Sequence, residues 1–219
     1  MKSPPLRLVA PAARTASGVL GDSDVKADEV LLAGLEGKDP SFAARFCQRV
    51  RPVVDRTLTR LLGARDPDYE DLAQVALFEL VSTIHRFRRD CPLDAWLSIV
   101  TARVAYRHIR RRRLERRIFG QLSPQESEGR LVVLPAAIEA RQAIERVTGM
   151  LAKLEPKRVW TWLLHDVYGY DLKEITEIMG VSLSAAQSRL VRGRREVNER
   201  VQADSALAQY FLEFERGDP

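Results

Sequence analysis

Apolar residues along this chain recur at three- and four-residue intervals, and strand-like alternation bounded by turns is weak throughout. The sharpest pattern runs from Asp171 to Arg195. Leu172, Ile175 and Ile178 have helical spacing, Gly180 can supply the left-handed backbone of a turn, and Val181 can anchor that turn. Ser182 or Ser184 can cap the next helix, in which Leu183, Ala186, Leu190, Gly193 and Val197 share one face. Ser184, Ser188, Arg192 and Arg195 lie away from that face. This is the pattern of a helix-turn-helix whose second helix can enter a DNA major groove. A helical hairpin that serves only as core is the alternative reading of the same residues.

The rest of the chain also reads as helices. Asp28 to Leu35 is a first helix, ending near Gly37. Asp39-Pro40 is a cap followed by proline at the first helical position. Phe42, Phe46, Val50, Val53, Val54, Leu58, Leu61 and Leu62 then form a stripe that Gly63 closes. Pro52 inside the stripe is expected to kink or split the helix. Asp66-Pro67 repeats the capped start, and the helix over 68–87 carries acids in its first turn, where the helix dipole favours them. Leu72, Val75, Ala76, Phe78, Leu80, Val81 and Ile84 make its apolar face. After a short loop with Pro92, Asp94 is expected to cap a helix running to about Arg117. Gly120, Ser123, Pro124, Ser127, Gly129 and Pro135 interrupt the pattern. It returns from Ala136 to about Leu154. Glu155-Pro156 starts a helix with Val159, Trp160, Leu163, Leu164 and Val167 on one face, broken at Gly169. Leu207, Tyr210, Phe211 and Phe214 then repeat at helical spacing, as expected of a tail packed on the domain before it.

The expected fold class is therefore all-α, with two small helical domains joined by a flexible linker. A flexible tail spans 1–26 and the first domain 27–117. The linker spans 118–135, the second domain, with the helix-turn-helix, spans 136–202, and a C-terminal tail spans 203–219.

Charge sharpens this picture. The net charge of the 219 residues is +5, but Arg86 to Arg117 holds eleven arginines against Asp90, Asp94 and Glu115. That segment is +8 and the remainder −3, so the positive charge is focused as a polyanion partner requires. Arg103, Arg107 and Arg110 are spaced as one helical ridge that can neutralise successive phosphates. Phe87, Trp96 and Tyr106 could stack on unpaired bases, and a solvated basic face with a core tryptophan is the alternative. The acids Asp66, Asp68, Glu70 and Asp71 read as a helix start rather than as catalytic carboxylates, because no nucleophile or phosphate loop accompanies them. No enzyme, cofactor or metal site is expected. Cys47 and Cys91 are isolated thiols, and His85, His108 and His165 are scattered without metal-ligand spacing. No apolar run approaches a membrane span and no signal peptide opens the chain, so a cytoplasmic location without membrane insertion is expected.

Two DNA-facing modules in this order resemble a bacterial RNA polymerase sigma factor of the extracytoplasmic-function type. The resemblance covers about residues 28 to 201. DPDYEDLAQVALFELV resembles the family's acidic helix, which docks on polymerase. HRFRRDCPLDAWLSIVTARVAYRHIRRRR resembles the segment that melts and reads the minus-ten element. LEPKRVWTWLLHDVYGYDLKEITEIMGVSLSAAQSRLVRGRREV resembles the minus-thirty-five domain. The first domain would then be sigma region 2 and the second sigma region 4.

The resemblance implies that Asp68, Glu70, Asp71, Leu72 and Gln74 face core RNA polymerase. It implies that Arg89, Asp90 and Cys91 lie in a loop that captures a flipped base. Trp96, Arg103, Tyr106, Arg107 and Arg110 would guide the single strand. Ser184, Ala185, Gln187, Ser188, Arg189 and Arg192 would face the minus-thirty-five groove, where arginine suits guanine and glutamine suits adenine. Arg103 and Arg107 depart from the asparagine and aspartate common on the family's strand-guiding helix, Gln187 from lysine, and Cys91-Pro92 from a serine-rich loop. The partners implied are core polymerase, promoter DNA and the anti-sigma factor by which such proteins are commonly held inactive. A free-standing helix-turn-helix regulator of duplex operators is the alternative function. An occupant of polymerase that has lost promoter reading is a third.

Overall fold

A computed structural model describes residues 22–36, 40–63, 66–119 and 135–209. Among them every regular element is helical and none is a strand. The chain divides into two compact units.

The front unit holds α1 (Asp22–Glu36), α2 (Pro40–Leu62), α3 (Tyr69–Thr83) and α4 (Leu93–Phe119). Its core joins Phe46, Val50, Val54 and Leu58 of α2 to Leu72, Ala73, Ala76 and Leu80 of α3 and to Leu97, Val100 and Val104 of α4. Each large apolar side chain removed from water here contributes roughly 1.5–3 kcal/mol.

That burial explains why α2 runs unbroken through Pro52 instead of splitting. The proline removes one helical hydrogen bond, but its ring is exposed while Val50, Val53 and Val54 on either side are fixed in the core. Packing outweighs the local defect. α1 begins at Asp22, six residues before the expected start and inside the stretch expected to be a tail.

The starts of α3 and α4 also differ from expectation. Asp66-Pro67 forms a turn rather than the first helical residues. Asp66 Oδ1 accepts the Asp68 N–H at 3.0 Å, and the Asp66 and Asp68 carbonyls accept the N–H groups of Tyr69 and Leu72 at 3.1 and 3.0 Å. α3 ends at Thr83 and tightens into a 3-10 turn over Ile84–Arg86. Asp94 lies within the first turn of α4, where the Pro92 carbonyl accepts from Ala95 and Trp96 at 3.0 and 3.3 Å.

The carboxylate of Asp94 points instead to Arg49, whose guanidinium also forks onto Asp28 at 2.8 and 2.9 Å. This bridge fastens α1 and α4 to α2. Burial opposes the charge on Arg49, yet its bonds to Asp28 and Asp94 outweigh burial and hold its pKa above the ordinary value.

The back unit is built on α5 (Pro135–Ala152), α6 (Pro156–Trp162) and α8 (Leu183–Ala203). Glu155 precedes Pro156 at the start of α6, as its sequence implies, and α6 continues into a π-helical turn over Leu163–Val167. Ala143, Leu154, Val159, Trp162, Val197 and Val201 form the core, joined by Leu207 of the following tail. Residues 205–209 are helical, and Asp204 accepts the N–H groups of Ala206 and Leu207 at 3.1 and 3.2 Å. Leu207 is thus packed as the tail pattern implied, while Tyr210, Phe211 and Phe214 lie outside the described residues. So do residues 1–21 of the expected tail and 120–134 of the expected linker.

α6 and α8 approach closely at Gly193, where an added Cβ would sit 2.9 Å from the Arg158 carbonyl oxygen. α7 (Leu172–Met179) precedes α8, and the turn between them passes through Gly180 at φ 65°. Ser182 caps α8 by accepting from the Ala185 N–H at 3.3 Å. Ala186, Leu190, Gly193, Val197 and Val201 are the buried face of α8, while Leu183, expected on that face, is 48% exposed at the helix start.

Candidate nucleic-acid interface

The charged ridge of α4 is partly neutralised from within the front unit. Glu79, a mid-helix acid of α3, lies 3.6 Å from Arg103 and pairs with Arg107. Arg103 is half-buried, and its Nε is buried without a hydrogen-bond partner. Arg112 turns away from the ridge to Asp66, at 3.0 and 3.2 Å. Arg110 is exposed. The expected row Arg103, Arg107 and Arg110 therefore exists as a helical series, but two of its three members share one carboxylate.

The aromatic residues are also committed to packing. Phe87 and Trp96 both lie against the front core with ring centroids 5.6 Å apart and planes tilted by 49°. Tyr106 is 8% exposed, so its ring is not open to a base in this conformation. Between Phe87 and Leu93 runs the loop with Arg89, Asp90 and Cys91. Arg88, Arg89 and Asp90 are exposed and Cys91 is half-buried. Arg89 adopts φ 64°, the one non-glycine residue with positive φ among the described residues. That backbone costs an arginine about 1 kcal/mol or more and is held by the packed residues on both sides.

The α3 residues expected to face a partner divide into three groups. Leu72 is 6% exposed and belongs to the core. Glu70 is exposed but forks with Arg51 at 2.8 and 3.1 Å, and these bonds hold its carboxyl below the usual range. Asp68 lies 3.1 Å from His108 Nε2 and 3.4 Å from Arg112. Asp71 and Gln74 are exposed, and the next positions on their side of the helix are Val75 and Phe78, 48% and 75% exposed. Val75 and Phe78 were expected in the buried face. Ala73 is buried instead, beside Leu72, Ala76 and Leu80 of the expected face. Asp71, Gln74, Val75 and Phe78 thus form an outward stripe at i, i+3, i+4 and i+7, mixed in charge and apolar character.

On α8, Ser184, Gln187, Ser188 and Arg192 are exposed, and Ala185 and Arg189 are half-buried. Other arginines nearby are tied down. Arg158 pairs with Glu155 at 2.8 Å and with Glu196, and Arg194 forks onto Asp166. Burial pushes the Asp166 carboxyl up, but its bonds with Arg194 and His165 prevail and hold it below the usual range. Asp171 and Glu174 cap α7 reciprocally, each carboxylate accepting the other's backbone N–H at 2.7 and 2.8 Å. These contacts fix α7 and α8 locally and leave Arg192 facing outward between polar neighbours. The functional details missed from sequence are Glu79, Val75, Phe78 and His108, all of which depend on which helices meet.

Among the described residues no helix is long and apolar enough to cross a membrane. Residues 46–115 match sigma-70 region 2, and residues 144–197 match sigma-70 region 4. Among solved structures the chain is similar to CnrH in complex with the cytosolic domain of CnrY. The identity is 21% and the TM-score 0.48, covering 82% of this chain and 99% of that one. It is also similar to the sigma factor RpoE in complex with the anti-sigma factor NepR from Bartonella quintana. There the identity is 20% and the TM-score 0.45, covering 74% of this chain and 97% of that one. The two matched regions together span more than half of the chain, in the order its motifs imply, and the chain belongs to the sigma-70 family of sigma factors.

Proposed function

We propose that the chain is a sigma factor of the extracytoplasmic-function type that binds core RNA polymerase, directs it to two-part promoters and helps open the DNA, with no covalent chemistry of its own. The observation that carries this reading is the outward stripe of α3 and the outward polar face of α8 in one chain. A duplex-operator regulator needs only the second.

In this proposal Asp71, Gln74, Val75 and Phe78 meet polymerase. Glu70 and Asp68, engaged with Arg51 and with Arg112, shape the helix start. The loop with Arg89, Asp90 and Cys91 receives an extruded base, which suits an exposed segment fixed at both ends. Ser184, Gln187, Ser188 and Arg192 read the upstream groove, Arg192 against guanine and Gln187 against adenine. Arg103 and Arg107 act through phosphates and only when Glu79 releases them, whereas Arg110 is available at once. An anti-sigma factor competing for the α3 stripe belongs to the same proposal.

The test is binding of the full chain to purified core polymerase. Asp71→Arg and Phe78→Asp are expected to weaken it at least tenfold without changing affinity for duplex DNA alone. Unchanged core binding by both variants would remove α3 from the interface.

A further inference from the structure

We propose a zinc-binding site at the start of α3, formed by Asp66, Asp68 and His108. The three side chains come from two places far apart in sequence, and one potential ligand atom from each lies within 4.8 Å of the other two. Two carboxylates alone would only mark a helix start. His108 is what distinguishes the place. Its side chain is nine-tenths buried, and its Nε2 sits 3.1 Å from Asp68 Oδ2 yet makes no hydrogen bond. A buried imidazole nitrogen without a hydrogen bond carries an uncompensated desolvation cost. A metal ion takes the lone pair of neutral imidazole directly and removes that cost.

The donor set selects the ion. One imidazole with two carboxylates suits zinc, whereas calcium and magnesium prefer all-oxygen shells. Tetrahedral zinc with ligands at about 2.0–2.2 Å needs donor atoms roughly 3.3–3.6 Å apart; Asp68 and His108 are already that close, so only Asp66 has to move in. Asp66 and Asp68 lie in the turn before α3 and His108 lies on a rigid helix, so the turn supplies the movement.

Arg112 already occupies part of this notch, at 3.0 Å from Asp66 and 3.4 Å from Asp68. It shows that the notch holds a cation despite the positive end of the α3 dipole. The Arg112 Nη1 lies against the two carboxylates, and the imidazole Nε2 is left without a hydrogen bond from it. Arg112 is part-exposed and one turn beyond His108, so it can swing to solvent when zinc enters. Zinc would then join the start of α3 to α4. The consequence for polymerase docking rests on the function proposed above, but the binding does not.

The experiment uses the full chain without polymerase, with zinc ions as the probe. Zinc is expected to raise the thermal midpoint of the chain by several degrees, at near 1:1 stoichiometry in calorimetry. His108→Gln and Asp66→Asn are each expected to abolish the shift and lower affinity at least tenfold. Arg112→Gln should retain the site and tighten it by removing the competing cation. Cobalt substituted for zinc should give the absorption of a nitrogen- and oxygen-bound centre. Equal binding by the chain and by both ligand variants, sulfur ligation from Cys47 or Cys91, or no binding at all would overturn the proposal. If His108→Gln fails to fold, Asp66→Asn and the cobalt spectrum decide.

Discussion

Replacing Gly193 with alanine should destabilise the back unit, although the same change in a helix interior ordinarily stabilises it. α8 is helical throughout this region, so the intrinsic gain is about 1 kcal/mol. Against it stands the contact with α6. The new Cβ would lie 2.9 Å from the Arg158 carbonyl oxygen and 3.4 Å from Trp162 Cβ. The first neighbour is backbone and cannot rotate away, so the helices must part, at a cost of roughly 1–3 kcal/mol. The balance is a net loss of about 1 kcal/mol. Gly149 in α5 supplies the control, because an added Cβ there meets nothing within 4 Å. Gly149→Ala should stabilise by up to about 1 kcal/mol, separating the variants by about 2 kcal/mol. Urea unfolding followed by tryptophan fluorescence measures both, since Trp160 and Trp162 lie in α6. A Gly193→Ala protein as stable as Gly149→Ala would refute the close approach.

Arg49→Met should cost about 3–5 kcal/mol, because Asp28 is 5% exposed and would lose the fork that compensates it. Thermal unfolding of the full chain measures this, and restoration by Asp28→Asn would identify the stranded carboxylate as the cause. Glu79→Gln should free Arg103 and Arg107 for DNA. The salt dependence of single-strand binding should then steepen by up to about 1.4 in log–log slope, at about 0.7 per phosphate neutralised. An unchanged slope would make both arginines structural. Asp166 has a depressed folded pKa, so its contribution is full above the ordinary value of about 3.9 and is lost as pH falls through the lower folded value. Asp166→Asn should therefore be less stable at pH 7, by about 1 kcal/mol after allowing for the exposure of Arg194, and the difference should vanish toward pH 2.

Elements whose signal is local were legible in the sequence. The turn at Gly180, the Ser182 cap, Pro156 at the start of α6 and the i, i+3, i+4 burial of α8 all follow from neighbouring residues. Local signals failed where two helices compete for one space. Val75 and Phe78 are as apolar as the residues that fill the core, and only the positions of α2 and α4 decide that Ala73 lies inward and these two do not. Pro52 read as a break because the packing that overrides it is tertiary. The arginine ridge was legible as charge but not as electrostatics, since Glu79 is 24 and 28 residues from its partners. His108 looked solitary because Asp66 and Asp68 reach it only when α3 meets α4.

In the proposed function one chain docks on polymerase through α3 and sets promoter choice through α8. In vitro transcription of genomic DNA by core polymerase, with and without the chain, and with RNA 5′ ends mapped, tests it most directly. New, discrete start sites preceded by two sequence blocks at fixed spacing are expected. Arg192→Ala should weaken use of those sites by about 1–3 kcal/mol equivalent when the upstream block is matched, and not when it is scrambled. A start-site pattern identical to that of core polymerase alone would rule out this function.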